Sequence, residues 1–414
     1  MKSATAIVIL ASILVALAVL GGSSCLAADT VLTLRVKPGE AAGSAATVSG
    51  AITLPKELAD VPAEEIRVEM RQAGSQDVVP GQVVKCPKGQ PTLWWVLPAD
   101  ATAGEQEWTA TLSRGKAQDK PVFRWKDTPG DHLDLLFGDR RVTRYMYGFD
   151  TSDKERAWET YKVFYHVFDA EGENVITQGA GRKNRYAHHR GLFLGFSRLA
   201  VEGGVRGDFW HMSGGVQKHE EFLGMTAGPV LARSTALVHW LGKDGELALA
   251  EERETTAYRQ PEPTMLLLDF VSRLKAPGKP VSLNGDPEHA GMQFRAHGDI
   301  DAKKTQYMFP EGVTNVKAER DLAWAAMNMT LKREGDPQYT VEHINHPDNP
   351  EGTRYSAYRD YGRFGAFPTA ELGPDDRLTL RYRIWVVPGD FPPGEEMQKR
   401  WAAFAEPPVV ELVK

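Results

Sequence analysis

Cysteine is nearly absent: the 414 residues hold 2, Cys25 and Cys86, too few for a disulfide framework, so stability has to come from core burial. Basic runs are missing too. The 49 Lys and Arg are outnumbered by 55 Asp and Glu and spread along the chain, for a net charge of −6. Nothing there could neutralise a row of phosphates, which argues against a nucleic-acid partner. Beyond the first twenty residues no apolar run is long enough for a bilayer span, so none is expected in the mature chain. Also lacking are a zinc-type HExxH helix, paired CxxC motifs, a P-loop, a GxSxG elbow, a GxGxxG dinucleotide turn and internal repeats. Any chemistry must come from a looser constellation.

The N-terminus reads as an export signal. Lys2 precedes an apolar run over residues 4–20, closed by the small residues 21–24, with cleavage expected after Ala27. The mature protein is then periplasmic or extracellular. Acylation at Cys25 is the lipoprotein alternative, against which stands the absence of leucine from Gly22-Ser23-Ser24.

Past the leader, apolar residues alternate with polar ones along most of the chain, the period of two that a half-buried strand requires. Leu32, Leu34 and Val36, then Ile66, Val68 and Met70, then Trp108, Ala110 and Leu112 mark three such strands. They predict a small immunoglobulin-like β-sandwich over residues 29–112, followed by a linker at 113–120. A large antiparallel β-sandwich of the supersandwich kind is expected over 121–406. Long strands at 231–241 and 246–258 flank Lys243-Asp244-Gly245, a hairpin turn. Further strands are expected at 264–274 and 377–387, and Met397, Trp401 and Phe404 recur at helical spacing near the end. The fold class is mainly β with one short C-terminal helix.

All 11 histidines lie between His132 and His346, several beside turn formers, where loops at a sheet edge carry function. His188 and His189 precede Arg190-Gly191. Along an extended chain only one of the pair faces a given site, and one packed and one solvated histidine is the competing reading. Trp210-His211 stands before a glycine turn and suits a stacking platform beside an acid/base group, or equally a buried indole in a capped loop. His219 with Glu220 and Glu221 reads as a solvated face. His289 precedes a strand on which Gln293 and Arg295 share a face, a polar row fit for sugar hydroxyls or simply for solvent. His343 and Asn345 point one way and Glu342 and His346 the other, ahead of prolines that end strand pairing.

Taken in order, HHRG from His188, the Trp210-His211 pair, GELALAEERETTAY from Gly245, LLLDFVSRL from Leu266, EHAGMQFRA from Glu288 and HINHPDNP from His343 resemble the secreted family named PmoA or "methane oxygenase PmoA", over roughly residues 144–387. The resemblance implies an exported protein in a polysaccharide-degrading setting. It does not extend to a membrane monooxygenase, which needs several spans.

These readings converge on an exported carbohydrate-processing enzyme of epimerase, lyase or hydrolase type, acting on a carbohydrate or other small polar substrate. His188, His189, His211, His289 and His343 would do proton transfer, with a divalent metal allowed. Arg190, Trp210, Gln293, Arg295 and Asn345 would bind substrate. One alternative is a noncatalytic glycan-binding module using the 10 tryptophans; another is a metal-dependent oxygenase. The first domain carries no histidine and is not expected to contribute to the site.

Overall fold

The computed structural model describes residues 29–39, 45–85, 89–98, 104–116, 121–285 and 288–413. The leader with its cleavage position and Cys25, together with Cys86 and the end of the linker, lies outside them. Strands dominate and all pairings between them are antiparallel. Among the described residues no helix is long and apolar enough to cross a membrane.

The first unit is a seven-stranded sheet in the order Thr47–Ala51, Thr92–Val96, Val78–Val84, Ile66–Gln72, Gln106–Arg114, Thr30–Lys37, Val409–Val413. The alternating residues fill its core: Leu34, Val36, Met70, Ala110, Leu112 and Trp95 are wholly buried. The sheet curls until its end strands touch, since a Cβ on Gly50 would lie 2.6 Å from Val410 Cγ1. Its seventh strand comes from the far end of the chain, where Val409–Val413 pairs with Thr30–Lys37. No alternation signal announced that return, because Val409 and Val410 are exposed or half-buried.

The larger unit is two eight-stranded sheets face to face, with a four-stranded sheet at one end. One, the back sheet, contains the expected long strands Leu231–Gly242, Leu247–Tyr258, Leu266–Lys275 and Arg377–Pro388. Gly245 closes the hairpin at φ +82°, as the Asp-Gly pair predicts. Leu380, Tyr382 and Ile384 are wholly buried between the sheets. Its edge strand Gly215–Ala227 carries two register shifts, and the ring of His219 packs 4.8 Å from that of Tyr147, which differs from the solvated face expected there. The other, the front sheet, has at its centre Arg363–Phe367, Ala290–Arg295, Leu192–Phe196 and Phe164–Val167. Leu194, Met292 and Phe294 face the shared core.

The back sheet's outer surface is covered twice. The helix Gly394–Ala405 lays Met397 and Phe404 onto Trp324, Ala326 and Ile344, while the curled sheet packs Val84 and Trp94 against Leu231, Tyr258 and Trp385. Gln82 fixes that seam, accepting hydrogen bonds from the backbone N–H groups of Val230 and Leu231 at 2.9 Å each. A second helix, Lys154–Thr160, has too few residues for a readable period. Asp153 starts it by accepting from the N–H groups of Glu155 and Arg156.

Candidate functional site

The outer surface of the front sheet carries the site. Phe164, Phe193 and Trp210 form a small apolar floor there, and two loops, ending at Gly191 and at Gly214, close over it. Gly191 turns the first loop into the strand at φ +46°; a Cβ there would sit 1.9 Å from the Tyr165 carbonyl oxygen, so only glycine fits. Gly291, at φ +78°, does the same beside His289, 2.1 Å from the Ala366 carbonyl oxygen. Two side-chain-bearing residues also hold positive φ in these loops, Tyr186 at 56° and Met212 at 61°. Such backbone costs about 1–3 kcal/mol per residue and persists where the surroundings enforce it.

Four of the expected histidines come together. The His188 ring lies 4.2 Å from that of His189 and 4.5 Å from that of His211, and His211 lies 5.0 Å from His289. His188, His211 and His289 are half-buried at a rim, and His189 is buried beneath them. Both members of the adjacent pair therefore reach the centre, because the chain bends at Tyr186, whose carbonyl accepts from His189 N–H.

Hydrogen bonding assigns the tautomers of two of them. His211 Nδ1 is 2.7 Å from Asp208 Oδ2, and a carboxylate only accepts, so Nδ1 carries the proton and Nε2 is left with its lone pair. Asp208 also accepts from the N–H groups of Trp210 and His211, at 2.9 and 2.8 Å, which locks the loop. Burial pushes the Asp208 carboxyl up, but its bonds to His211 outweigh this and hold it below the usual carboxylate range. In the second case the Trp210 indole donates to His189 Nε2 at 3.3 Å, which places that ring's proton on Nδ1. Nδ1 has no partner among the described residues, an omission that costs about 1–3 kcal/mol in a buried group.

The centre is electrostatically unusual. Burial, with Lys162, His211 and His289 close by, pushes His188 down to about 3, and burial drives His189 well below its ordinary value. Both are neutral at pH 7. Lys162, wholly buried, donates to the Trp210 carbonyl at 2.7 Å and lies over the Phe193 ring; burial takes it well below the lysine range. Among the described residues no three His, Cys, Asp or Glu side chains are arranged to hold a metal ion.

Other expected residues serve elsewhere. Trp210 is wholly buried and offers no stacking face. Arg190 gives its guanidinium to the carbonyls of Trp158 and Glu159, ending the helix Lys154–Thr160. Arg295, also buried, holds the first loop through Gln178, Arg185 O and Tyr361 O. Gln293 donates to the Ala290 and Ala366 carbonyls and accepts from Arg363. The polar row is therefore covered, not open to ligand. His343 lies in the sandwich interior, bonded to Tyr355 and the Met292 carbonyl, and Asn345 pairs with Asn349 at the back sheet. Asp208 and Lys162 are the residues sequence reading missed. The three-residue spacing of Asp208 and His211 in a turn was the available signal for the first; nothing local marks the second.

No curated protein matches this chain. The sequence profile described as "Family of unknown function (DUF6807)" matches residues 132–402, which spans both faces of the large sandwich and every histidine of the centre. The chain belongs to that family.

Proposed function

We propose that this is an exported carbohydrate-processing enzyme in which the Asp208–His211 pair is the proton acceptor and His188 and His289 are its partners in acid/base work on a sugar. The observation that carries the reading is the 2.7 Å contact between His211 Nδ1 and Asp208, which leaves Nε2 free to take a proton at a solvent-reaching rim beside two more imidazoles. A carboxylate-oriented histidine of this kind holds one tautomer and stabilises the imidazolium that forms on protonation. His188, kept neutral, can donate or accept across the same space. Epimerisation, elimination and hydrolysis are all compatible with that combination.

Tryptophan stacking lends the glycan-binding alternative no support, since none of the ten tryptophans is exposed. The half-buried indoles of Trp94, Trp125, Trp158 and Trp401 are tied to internal acceptors. The test is a screen of purified protein against glycans and simple sugars, followed by His211→Ala and His289→Ala. Each is expected to lower turnover by roughly 10²- to 10⁴-fold with the melting temperature nearly unchanged. Unchanged turnover per folded molecule, with lower stability, would make these histidines loop supports.

A further inference from the structure

Beside the histidine centre runs an open groove of about 630 Å³, and Asp208 stands in its wall. Three exposed bases line it, Arg198, Arg206 and Lys243, with the polar side chains of Ser282 and Asn284 between them. Ion pairing is common elsewhere on this surface, as with Arg35 and Glu105, Arg182 and Glu155 or Lys304 and Asp336. None of the three groove bases is ion-paired among the described residues. Two carboxylates offset them in part: Asp208 in the wall, already bonded to His211 and two backbone N–H groups, and Glu371, which accepts from Ser282 Oγ at 2.7 Å. Unpaired like charges around one concavity, on a protein whose net charge is −6, raise the local potential for an anion.

Behind the groove, the histidine centre adds hydrogen-bond donors. Lys162 and the orphaned His189 Nδ1–H are buried donors with unused capacity at the centre that Asp208 joins to the groove. Three separated charges over a short groove suit a glycan with one anionic group per sugar, not a duplex with its dense phosphate rows.

Resting on the reading of the centre as a sugar site, we infer that the substrate is an anionic glycan. Its carboxylates or sulfate esters are gripped by Arg198, Arg206 and Lys243 while the sugar to be processed reaches His211. Both kinds of anionic group present oxygens to guanidinium and ammonium donors.

Fluorescence anisotropy on the mature full-length chain tests this, with labelled oligomers of a uronic acid, a sulfated galactan, a neutral glucan and a single-stranded oligonucleotide. An acidic glycan is expected to bind and the neutral one not, with affinity falling as salt rises. Which acidic oligomer binds separates carboxylate from sulfate. The triple variant Arg198→Gln, Arg206→Gln, Lys243→Gln should lose about tenfold or more in affinity, while Lys304→Gln, an exposed base outside the groove, binds as the unsubstituted protein does. Equal binding of the glucan, tighter binding of the oligonucleotide, no binding of either acidic oligomer, or an unaffected triple variant would each overturn the assignment. Groove-dependent binding without turnover of any glycan would leave the groove assignment standing and remove the acid/base reading. Turnover with an unaffected triple variant would do the reverse.

Discussion

Asp208 is the residue on which the site's chemistry turns. Its carboxylate does two jobs, bonding two backbone N–H groups and fixing the His211 tautomer, and these can be separated. Asparagine can still accept the backbone bonds, so Asp208→Asn should fold with a melting temperature close to that of the parent. Presenting its amide N–H₂ to His211, however, would favour the tautomer with the proton on Nε2, where the base is needed. Turnover is expected to fall by roughly 10²- to 10⁴-fold, measured with whichever glycan the screen identifies. Preserved turnover in this variant would remove the dyad from the mechanism.

Among the elements, the entry into Leu192–Phe196 has the least freedom. Gly191 combines a positive φ with a carbonyl oxygen where a side chain would begin. Gly191→Ala should cost about 3 kcal/mol or more in urea unfolding, and it should disturb His188 and His189 ahead of any change in the back sheet. A small change in unfolding free energy would show that the loop relaxes cheaply and that its positive-φ residues are not enforced. This is also where sequence reading met its limit. The histidines were legible because turn formers surround them and the long strands because their alternation is clean. The roles of Arg190, Gln293 and Arg295 were not, since the loops and helix that cover them come from distant segments with no local periodicity.

The whole molecule stores a sensitivity to acid in its buried imidazoles. Burial pushes His343 down to about 4 and His166 to about 3, with His188 and His219 shifted the same way. For each, the unfolded chain takes up a proton first as pH falls below about 6.5, so the folded state loses stability down to its own lower value. For His343, which is wholly buried, the loss between pH 7.5 and pH 5 is about 2 kcal/mol. His343→Leu should make the fall in unfolding free energy over that interval smaller by about this amount, read from urea melts at several pH values. The Tyr355 hydroxyl keeps its bond to the residue 343 carbonyl in such a variant. An unchanged pH slope would mean that water or another group compensates the buried ring.

At the same scale, the pairing of Val409–Val413 with Thr30–Lys37 bears on the order of assembly. During synthesis the chain emerges from its N-terminal end, so the first sheet to appear is the last that can be finished. Until residue 413 is available, Thr30–Lys37 presents an open row of backbone donors and acceptors, the kind of edge that recruits strands from other molecules. Synthesis through residue 413 is therefore what covers the edge of Thr30–Lys37. A truncated translation product would carry that unsealed edge even if its histidine centre were already in place.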